Sequence, residues 1–439
     1  MEPQPVLNGI FVALVVGAVV AAALTGKMPD VNDAALAAAK SAVDILIGLI
    51  GVMALWLGFM RVLREAGVLA GLARALAPAL RRLFPDVPPD HPAMGAIVMN
   101  LAANVLGLGN AATPFGLKAM RELESLNARP GVATNAMALF LTINTSGLAV
   151  LPLGAIAVRA SLGSDNAAGI LVPSLVASAC ATLVGIVAAK LFERWPVFAP
   201  ERAAVPESVT PPAAPALDFA ALAEAEKLAA PVPLATPVRS AVAMVCLAAV
   251  LVGVLRAFSA EPTFATAKDV LSSWLLPALM AGIALTGFAR RIPVYDAFIV
   301  GAREGLAIAV TVLPYLLAIL VAVGLFRASG ALDALVSAVA PVTGLVGFPA
   351  EALPMALIRP LSGSGALAVM TETMQHYGPD SFPGFLACVI NGSSETTFYV
   401  LALYLGSVRV RASRHTVLAC LAADLAGVAA ALGASRLFF

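Results

Sequence analysis

Met99-Asn100-Leu101-Ala102-Ala103-Asn104-Val105-Leu106-Gly107-Leu108-Gly109-Asn110-Ala111-Ala112-Thr113-Pro114-Phe115-Gly116 is the stretch that decides the fold. Three side-chain amides, three glycines and a proline interrupt a segment that is otherwise apolar. In lipid, each backbone polar group freed by such a break costs on the order of several kcal/mol unless it is buried in protein or faces a wet cavity. An ordinary lipid-facing helix is therefore excluded. The stretch reads as the turn of a re-entrant hairpin over 92–124, and 350–374, also broken by Gly, Pro and polar residues, reads as a second.

Working outward, apolar runs near the length of about 18 residues that crosses a bilayer recur at 6–25, 41–62, 134–158, 167–191, 238–257, 270–289, 305–326, 384–406 and 415–436. Of the 439 residues, 60% are apolar and 12% charged, and mean hydropathy is +0.94. Such a mixture cannot clothe a water-soluble surface. The expected fold class is an all-α integral membrane protein with the lipid bilayer as its solvent. Residues 6–24 read as a retained span, because no Lys or Arg precedes them and no small-residue cleavage site follows.

A net charge of +1 argues against a nucleic-acid partner. Cys180, Cys246, Cys388 and Cys420 stand singly in apolar stretches, and His91, His376 and His415 are scattered, so neither a disulfide framework nor a metal site is expected. No cofactor is implied. Ser362-Gly363-Ser364-Gly365 lacks the flanking pattern and strand context of a nucleophile elbow, so no catalytic residue is assigned and the protein is not expected to be an enzyme.

Basic residues orient the spans, because cytoplasmic loops carry the Lys and Arg. One side gathers most of them, including Arg61, Arg64, Arg81, Arg82, Lys118, Arg121, Arg290, Arg291, Arg409, Arg411 and Arg414. The other holds only Lys27, Lys40, Arg159, Arg256, Lys268, Arg327 and Arg436. The expected N-terminus is cytoplasmic and the C-terminus lies across the membrane. A Pro-, Ala- and Glu-rich stretch at 196–237, with a short helix expected over Phe219–Lys227, reads as a cytoplasmic linker. It divides the chain into membrane halves at 1–195 and 238–439.

The halves are related to each other. Arg64-Glu-Ala-Gly67-Val-Leu69-Ala-Gly-Leu72-Ala-Arg-Ala-Leu-Ala-Pro78 aligns without gaps on Arg327-Ala-Ser-Gly330-Ala-Leu332-Asp-Ala-Leu335-Val-Ser-Ala-Val-Ala-Pro341. Alanine matches are cheap in this composition; Arg, Gly and Pro matches are not. Each segment is followed by a hairpin, a broken span and a plain span. The copies start after an even and an odd number of crossings, which makes them inverted repeats, a transporter signature. Each repeat is expected to contain, after the aligned segment, a re-entrant hairpin, a broken transmembrane helix and a plain one.

Four polar breaks at matched positions point to one central, substrate-binding site. They supply Asn100, Asn104, Asn110 and Thr113; Asn144, Thr145 and Ser146; Arg359, Ser362 and Ser364; and Asn391, Ser393, Ser394, Glu395 and Thr396. Breaks expose helix ends, whose amides attract anions and whose carbonyls attract cations. An ionised group at this depth costs at least about 2.5–3.5 kcal/mol on insertion scales and needs a partner or a water path. Arg359 is assigned to an anionic or strongly polar solute group, and Glu395 to a coupling H+ or Na+. The competing reading pairs Arg359 with Glu395 to hold the hairpin arms together, and makes the Asn and Ser clusters interhelical glue. Asp44 and Asp424, each alone in a span, are read as packing residues.

These motifs carry a resemblance. Residues 100–120 with Ile143-Asn-Thr-Ser146 resemble spore maturation protein A of bacteria. Pro293-Val-Tyr-Asp-Ala-Phe-Ile-Val-Gly-Ala-Arg-Glu-Gly305, Arg359-Pro-Leu-Ser-Gly-Ser-Gly-Ala366 and Ser393-Ser-Glu-Thr-Thr-Phe-Tyr-Val-Leu-Ala-Leu-Tyr-Leu-Gly-Ser407 resemble spore maturation protein B. The chain looks like a natural fusion of the two, within the nucleoside-recognition or gate-domain group that includes nucleoside carriers. The resemblance implies repeats that each have an interfacial helix, a re-entrant hairpin and a broken helix, in a multi-pass bacterial inner-membrane protein, a homo-oligomer, that moves a small-molecule solute. The alternatives are a non-transporting sensor or scaffold for an envelope process and, more weakly, a lipid-handling protein.

Overall fold

Glycine and proline set the outline of the fold, because nearly everything between them is helix-forming and apolar. The computed structural model describes residues 5–107, 109–148, 152–199, 237–260 and 274–439. The predicted linker helix over Phe219–Lys227 and most of the linker itself, with residues 270–273 of one predicted span, lie outside the described residues. Among the described residues there are helices and no strands, apart from an isolated bridge between Val132 and Ala412.

The first half runs α1 (Pro5–Thr25), α2 (Met28–Glu65), α3 (Val68–Leu83), α4 (Pro92–Val105), α5 (Gly109–Ser125), α6 (Asn135–Ser146), α7 (Leu153–Ser161) and α8 (Leu171–Phe192). The second runs α9 (Pro237–Ala260), α10 (Leu275–Ala289), α11 (Val294–Ala328), α12 (Ala331–Gly344), α13 (Leu353–Ile358), α14 (Gly363–Tyr377), α15 (Phe382–Ser393), α16 (Thr397–Ser407) and α17 (Thr416–Phe438). Met28–Glu65, Ala167–Phe192 and Thr416–Phe438 are long and apolar enough to cross a membrane. With the other apolar helices they make this a membrane protein.

The aligned segments fold alike. Gly67 and Gly330 both adopt the left-handed conformation, at φ 69° and 79°, which only glycine reaches without strain. Their amides reach back to the carbonyls of Arg64 and Arg327 at 3.0 and 2.8 Å. The long helix ends there, and α3 or α12 departs in a new direction. α3 is strongly amphipathic, as expected of a helix lying in an interface. Both carry an internal proline, Pro78 and Pro341.

Each predicted hairpin is a helix–turn–helix pair, α4–α5 and α13–α14, and each predicted broken span is two helices. α6 and α15 are 12 residues apiece and start alike: Thr134 Oγ1 accepts the Met137 amide at 3.1 Å and Ser381 Oγ the Gly384 amide at 3.1 Å. Such hydroxyl caps satisfy amides that the first helical turn leaves unpaired.

The halves meet along matching elements. α2 packs on α11, and α8 packs on α17. Gly301 and Gly305 let α11 lie directly on α2: a Cβ at Gly305 would stand 2.7 Å from the Ala54 Cα, and one at Gly301 would strike the Leu57 carbonyl. Small residues four apart permit this closeness in membrane helices. Arg61 and Arg64 of α2 then bridge Glu304 of α11 at 3.0 and 2.9 Å.

Candidate functional site

The predicted central site starts from the amides of the first hairpin. Asn100 is fully buried on α4, and its Nδ2 donates to the Ala112 carbonyl at 2.8 Å, tying the two arms across the turn. One turn later Asn104 Nδ2 donates to Asn144 Oδ1 at 2.8 Å, and Asn144 Nδ2 donates to the Phe140 carbonyl at 2.8 Å. The hairpin is thereby fastened to the broken span. Thr113 and Asn100 lie within hydrogen-bonding reach of the Tyr404 hydroxyl, and Tyr404 stacks on Phe140 with ring centroids 6.0 Å apart. Asn110 belongs to α5, but its side chain lies outside the described set.

The break after α6 occurs at Gly147, in the left-handed conformation at φ 52°. The side chains before it turn inward on their own helix. Thr145 Oγ1 donates to the Thr142 carbonyl at 3.1 Å, and Ser146 Oγ donates to the Ile143 carbonyl at 3.0 Å while meeting Thr182 Oγ1 at 2.9 Å. Ser393 Oγ does the same for the Ile390 carbonyl at 2.8 Å in the second half. These hydroxyls serve as partners for carbonyls of their own helices, and Ser146 also reaches α8 through Thr182.

The two breaks meet backbone to backbone. The Glu395 amide donates to the Thr145 carbonyl at 2.8 Å. A Cβ at Gly147 would come 2.8 Å from Glu395 Cγ, so glycine is needed there for its conformation and for space. The second hairpin joins the same junction: the Phe398 amide donates to the Pro360 carbonyl at 3.0 Å. Ser362 caps α14 by accepting the Gly365 amide at 3.0 Å, with Ser364 Oγ 3.4 Å away. Thr396 is buried beside Gly363, and Asn391 is half-buried near the end of α15.

The charges sit at this junction. Arg359 follows α13 and is 8% exposed; its Nη2 donates to the Ser394 carbonyl. Glu395 Oε2 lies 3.8 Å from the same nitrogen, with the Glu395 side chain 54% exposed. That is a loose contact rather than the bidentate clamp of which arginine and carboxylate are capable. Arg327 and Glu372 display the clamp, at 2.5 and 3.1 Å. The pairing alternative for Arg359 and Glu395 thus has the residues adjacent without a locked geometry. Arg359 retains donor capacity, and Glu395 is open to solvent or solute.

Three further residues belong to the junction: Tyr404 and Thr397, not among the predicted site residues, and Asp424, read from the sequence as a packing residue. Thr397 Oγ1 donates to Asp424 Oδ2 at 2.8 Å, and Asp424 is 6% exposed. A carboxylate in a predicted span was the available signal, and its solitude in the sequence hid its neighbours. Among the described residues, cavities lie elsewhere, one of about 530 Å3 beside Glu372 and His376 and another of about 230 Å3 beside Arg159 and Asp380. No predicted site residue lines either.

The family model described as Gate, nucleoside recognition, matches residues 46–162 and 309–410, which span α2 into the loop after α7 and α11 past α16. Spore maturation protein A of Bacillus subtilis (strain 168) is 42% identical over 189 residues, 43% of this chain and 94% of that protein. Spore maturation protein B of the same organism is 44% identical over 169 residues, 38% of this chain and 95% of that protein. The two similarities fall on different parts of the chain. No solved structure matches it.

Proposed function

The chain belongs to the Gate, or nucleoside recognition, family and unites relatives of spore maturation proteins A and B in one polypeptide; on that premise we propose that it is a transporter-like protein moving a small polar or anionic solute. The observation that carries this reading is the junction of the two breaks, where Glu395 is hydrogen-bonded to Thr145 beside a buried Arg359 with donors to spare. Broken helices at one junction are how carriers place helix ends and charges around a solute.

The architecture that goes with this reading is two inverted repeats, α2–α8 and α11–α17. Its support is the matched glycine turns at Gly67 and Gly330 and the pairing of α2 with α11 and α8 with α17. Reciprocal packing adds to it: α15 lies on α8 while α17 lies on α6, and α16 lies on α5 while α7 lies on α14. A two-fold axis in the membrane plane gives pairs of this kind. The matched Arg64 and Arg327 each meet an acid, Glu304 and Glu372, and belong on opposite faces. The basic residues then put the N-terminus in the cytoplasm and the C-terminus outside the bacterial inner membrane. The protein works as a homo-oligomer and without catalysis.

The test is a thermal-shift screen of purified protein against nucleosides, nucleotides, amino acids and dicarboxylates, followed by flux in proteoliposomes. A ligand at 100 times its Kd stabilises the fold by about 2.7 kcal/mol. A stabilising ligand that crosses the liposome membrane, with both effects lost in Arg359→Gln, is the expected result. No shift and no flux across the panel would replace this reading with a sensor or scaffold role.

A further inference from the structure

Asp424 lies one third of the way along α17 and is 6% exposed. Its Oδ2 accepts the Thr397 hydroxyl at 2.8 Å, while Oδ1 is buried without a hydrogen-bond partner. An ionised carboxylate with one oxygen unsatisfied is costly at this depth, and a neutral acid there costs much less. The state of the group depends on what faces it.

α17 packs against α6, α8, α15 and α16, and the faces it meets are neutral. α6 brings the Thr142 hydroxyl, which meets Cys420 at 3.7 Å. α8 brings Ala181 and Gly185, α15 brings Ser393 and α16 brings Thr397. The titratable neighbour on α17 itself is the Cys420 thiol, one turn earlier, which feels the Asp424 charge. Arg359 is the cation of this corner: its neighbour Pro360 accepts the amide of Phe398, the residue after the Thr397 that donates to Asp424, and the same guanidinium faces Glu395 at the break.

We propose that Asp424 is an exchangeable proton site whose occupancy is set by Arg359, and that it couples anion movement to protons. This rests on the solute-moving reading above. With no solute, Arg359 and ionised Asp424 balance each other. When a monoanion binds Arg359, that balancing charge is withdrawn, and Asp424 takes one proton on its carboxylate oxygen. Arg359, Asp424 and the bound anion together sum to zero charge in both states, and one proton travels with each negative charge. Glu395 stands half exposed beside the junction. The coupling role expected for it from the sequence passes to Asp424.

The first measurement is pH-difference infrared spectroscopy of the protein reconstituted in liposomes, which sees the carbonyl stretch of a protonated carboxyl and needs no solute. The expected outcome is a titrating buried-acid band that is lost in Asp424→Asn and kept in Glu395→Gln. Thr397→Val keeps the carboxyl but removes its hydroxyl donor, and moves the midpoint of that band by about one pH unit; it guards against a misfolded Asp424→Asn. A band unchanged in Asp424→Asn, or lost only in Glu395→Gln, overturns the assignment.

The second measurement follows proton entry into liposomes loaded with a pH dye when inorganic phosphate, succinate, glutamate or uridine monophosphate is added. Entry with one of these in the wild type, abolished in Asp424→Asn, supports the coupling; entry that survives the substitution, or that follows a sodium gradient instead, overturns it. If the band titrates as expected and no anion moves, the proton site stands and the solute-moving reading fails.

Discussion

Arg159 and Arg359 are both buried, at 2% and 8% exposure, and both join segments far apart in sequence, yet their surroundings differ. Arg159, on α7, donates through Nη1 to the Pro379 carbonyl and through Nη2 to Ser164 Oγ at 2.9 Å, the Asn166 carbonyl at 3.1 Å and Asp380 Oδ1 at 2.7 Å. Its guanidinium also lies 5.3 Å from the centre of the Phe385 ring. Arg359 has the Ser394 carbonyl and a carboxylate 3.8 Å away. Arginine carries five N–H donors in a fixed fork. Where most of them are engaged the residue is a clamp between the two halves, and where few are the residue keeps capacity for something that comes and goes.

The largest expected effect strikes the clamp. Arg159→Ala strips this network of its centre: the Pro379 and Asn166 carbonyls lose that donor, and Asp380 keeps only Ser164 and the Asp165 amide. With Asp380 itself 41% exposed, the loss is about 2–3 kcal/mol, the scale of hydrogen bonds made by a charged group. Thermal unfolding of the detergent-solubilised protein measures it, and a loss under about 1 kcal/mol would erase the distinction between the two arginines.

Arg359→Gln comes next. Fewer partners are abandoned, so the same unfolding measurement should report about 1–2 kcal/mol, the scale of one charged hydrogen bond, even as ligand stabilisation disappears. A stability loss equal to that of Arg159→Ala would make Arg359 a second clamp and remove the reason to place a solute there.

The smallest effect concerns acid. Burial alone would raise the Asp380 carboxyl, but hydrogen bonds from Ser164 and the Asp165 amide and the charge of Arg159 outweigh it and hold the group below the usual carboxylate range. A depressed carboxyl contributes stability that is present above its unfolded value of about 3.9 and is lost as pH falls through the lower folded value. With the Asp380 side chain 41% exposed, solvent screening limits that contribution to about 1 kcal/mol or less. The stability difference between wild type and Asp380→Asn should therefore be small at pH 7 and vanish in strong acid. A difference that grows on acidification would contradict the sign.

Asn144 and Asp424 show how far the sequence could be read. Asn144 sits in a run of polar residues inside a span, and such runs are legible because lipid tolerates them only when protein encloses them. Asp424 has no such run; its partner Thr397 is on another helix, and no local pattern records that proximity. Several hydroxyls predicted to face a solute, among them Thr145, Ser146 and Ser393, bond instead to carbonyls three residues back. The sequence does not say which way a small polar side chain turns at a helix end.

The sequence by itself determined the all-helical membrane class, the two related halves, the glycine turns at Gly67 and Gly330 and the positions of the breaks. Each of these follows from local chemistry: hydropathy, the conformations open to glycine, and the cost of free backbone groups in lipid. Only the tertiary structure decided that the breaks of the two halves touch through Glu395 and Thr145. It alone made Arg159 a clamp with most of its donors engaged, left Arg359 under-engaged and put Asp424 against Thr397. Those outcomes depend on distances between residues remote in the chain, and distance is set by packing.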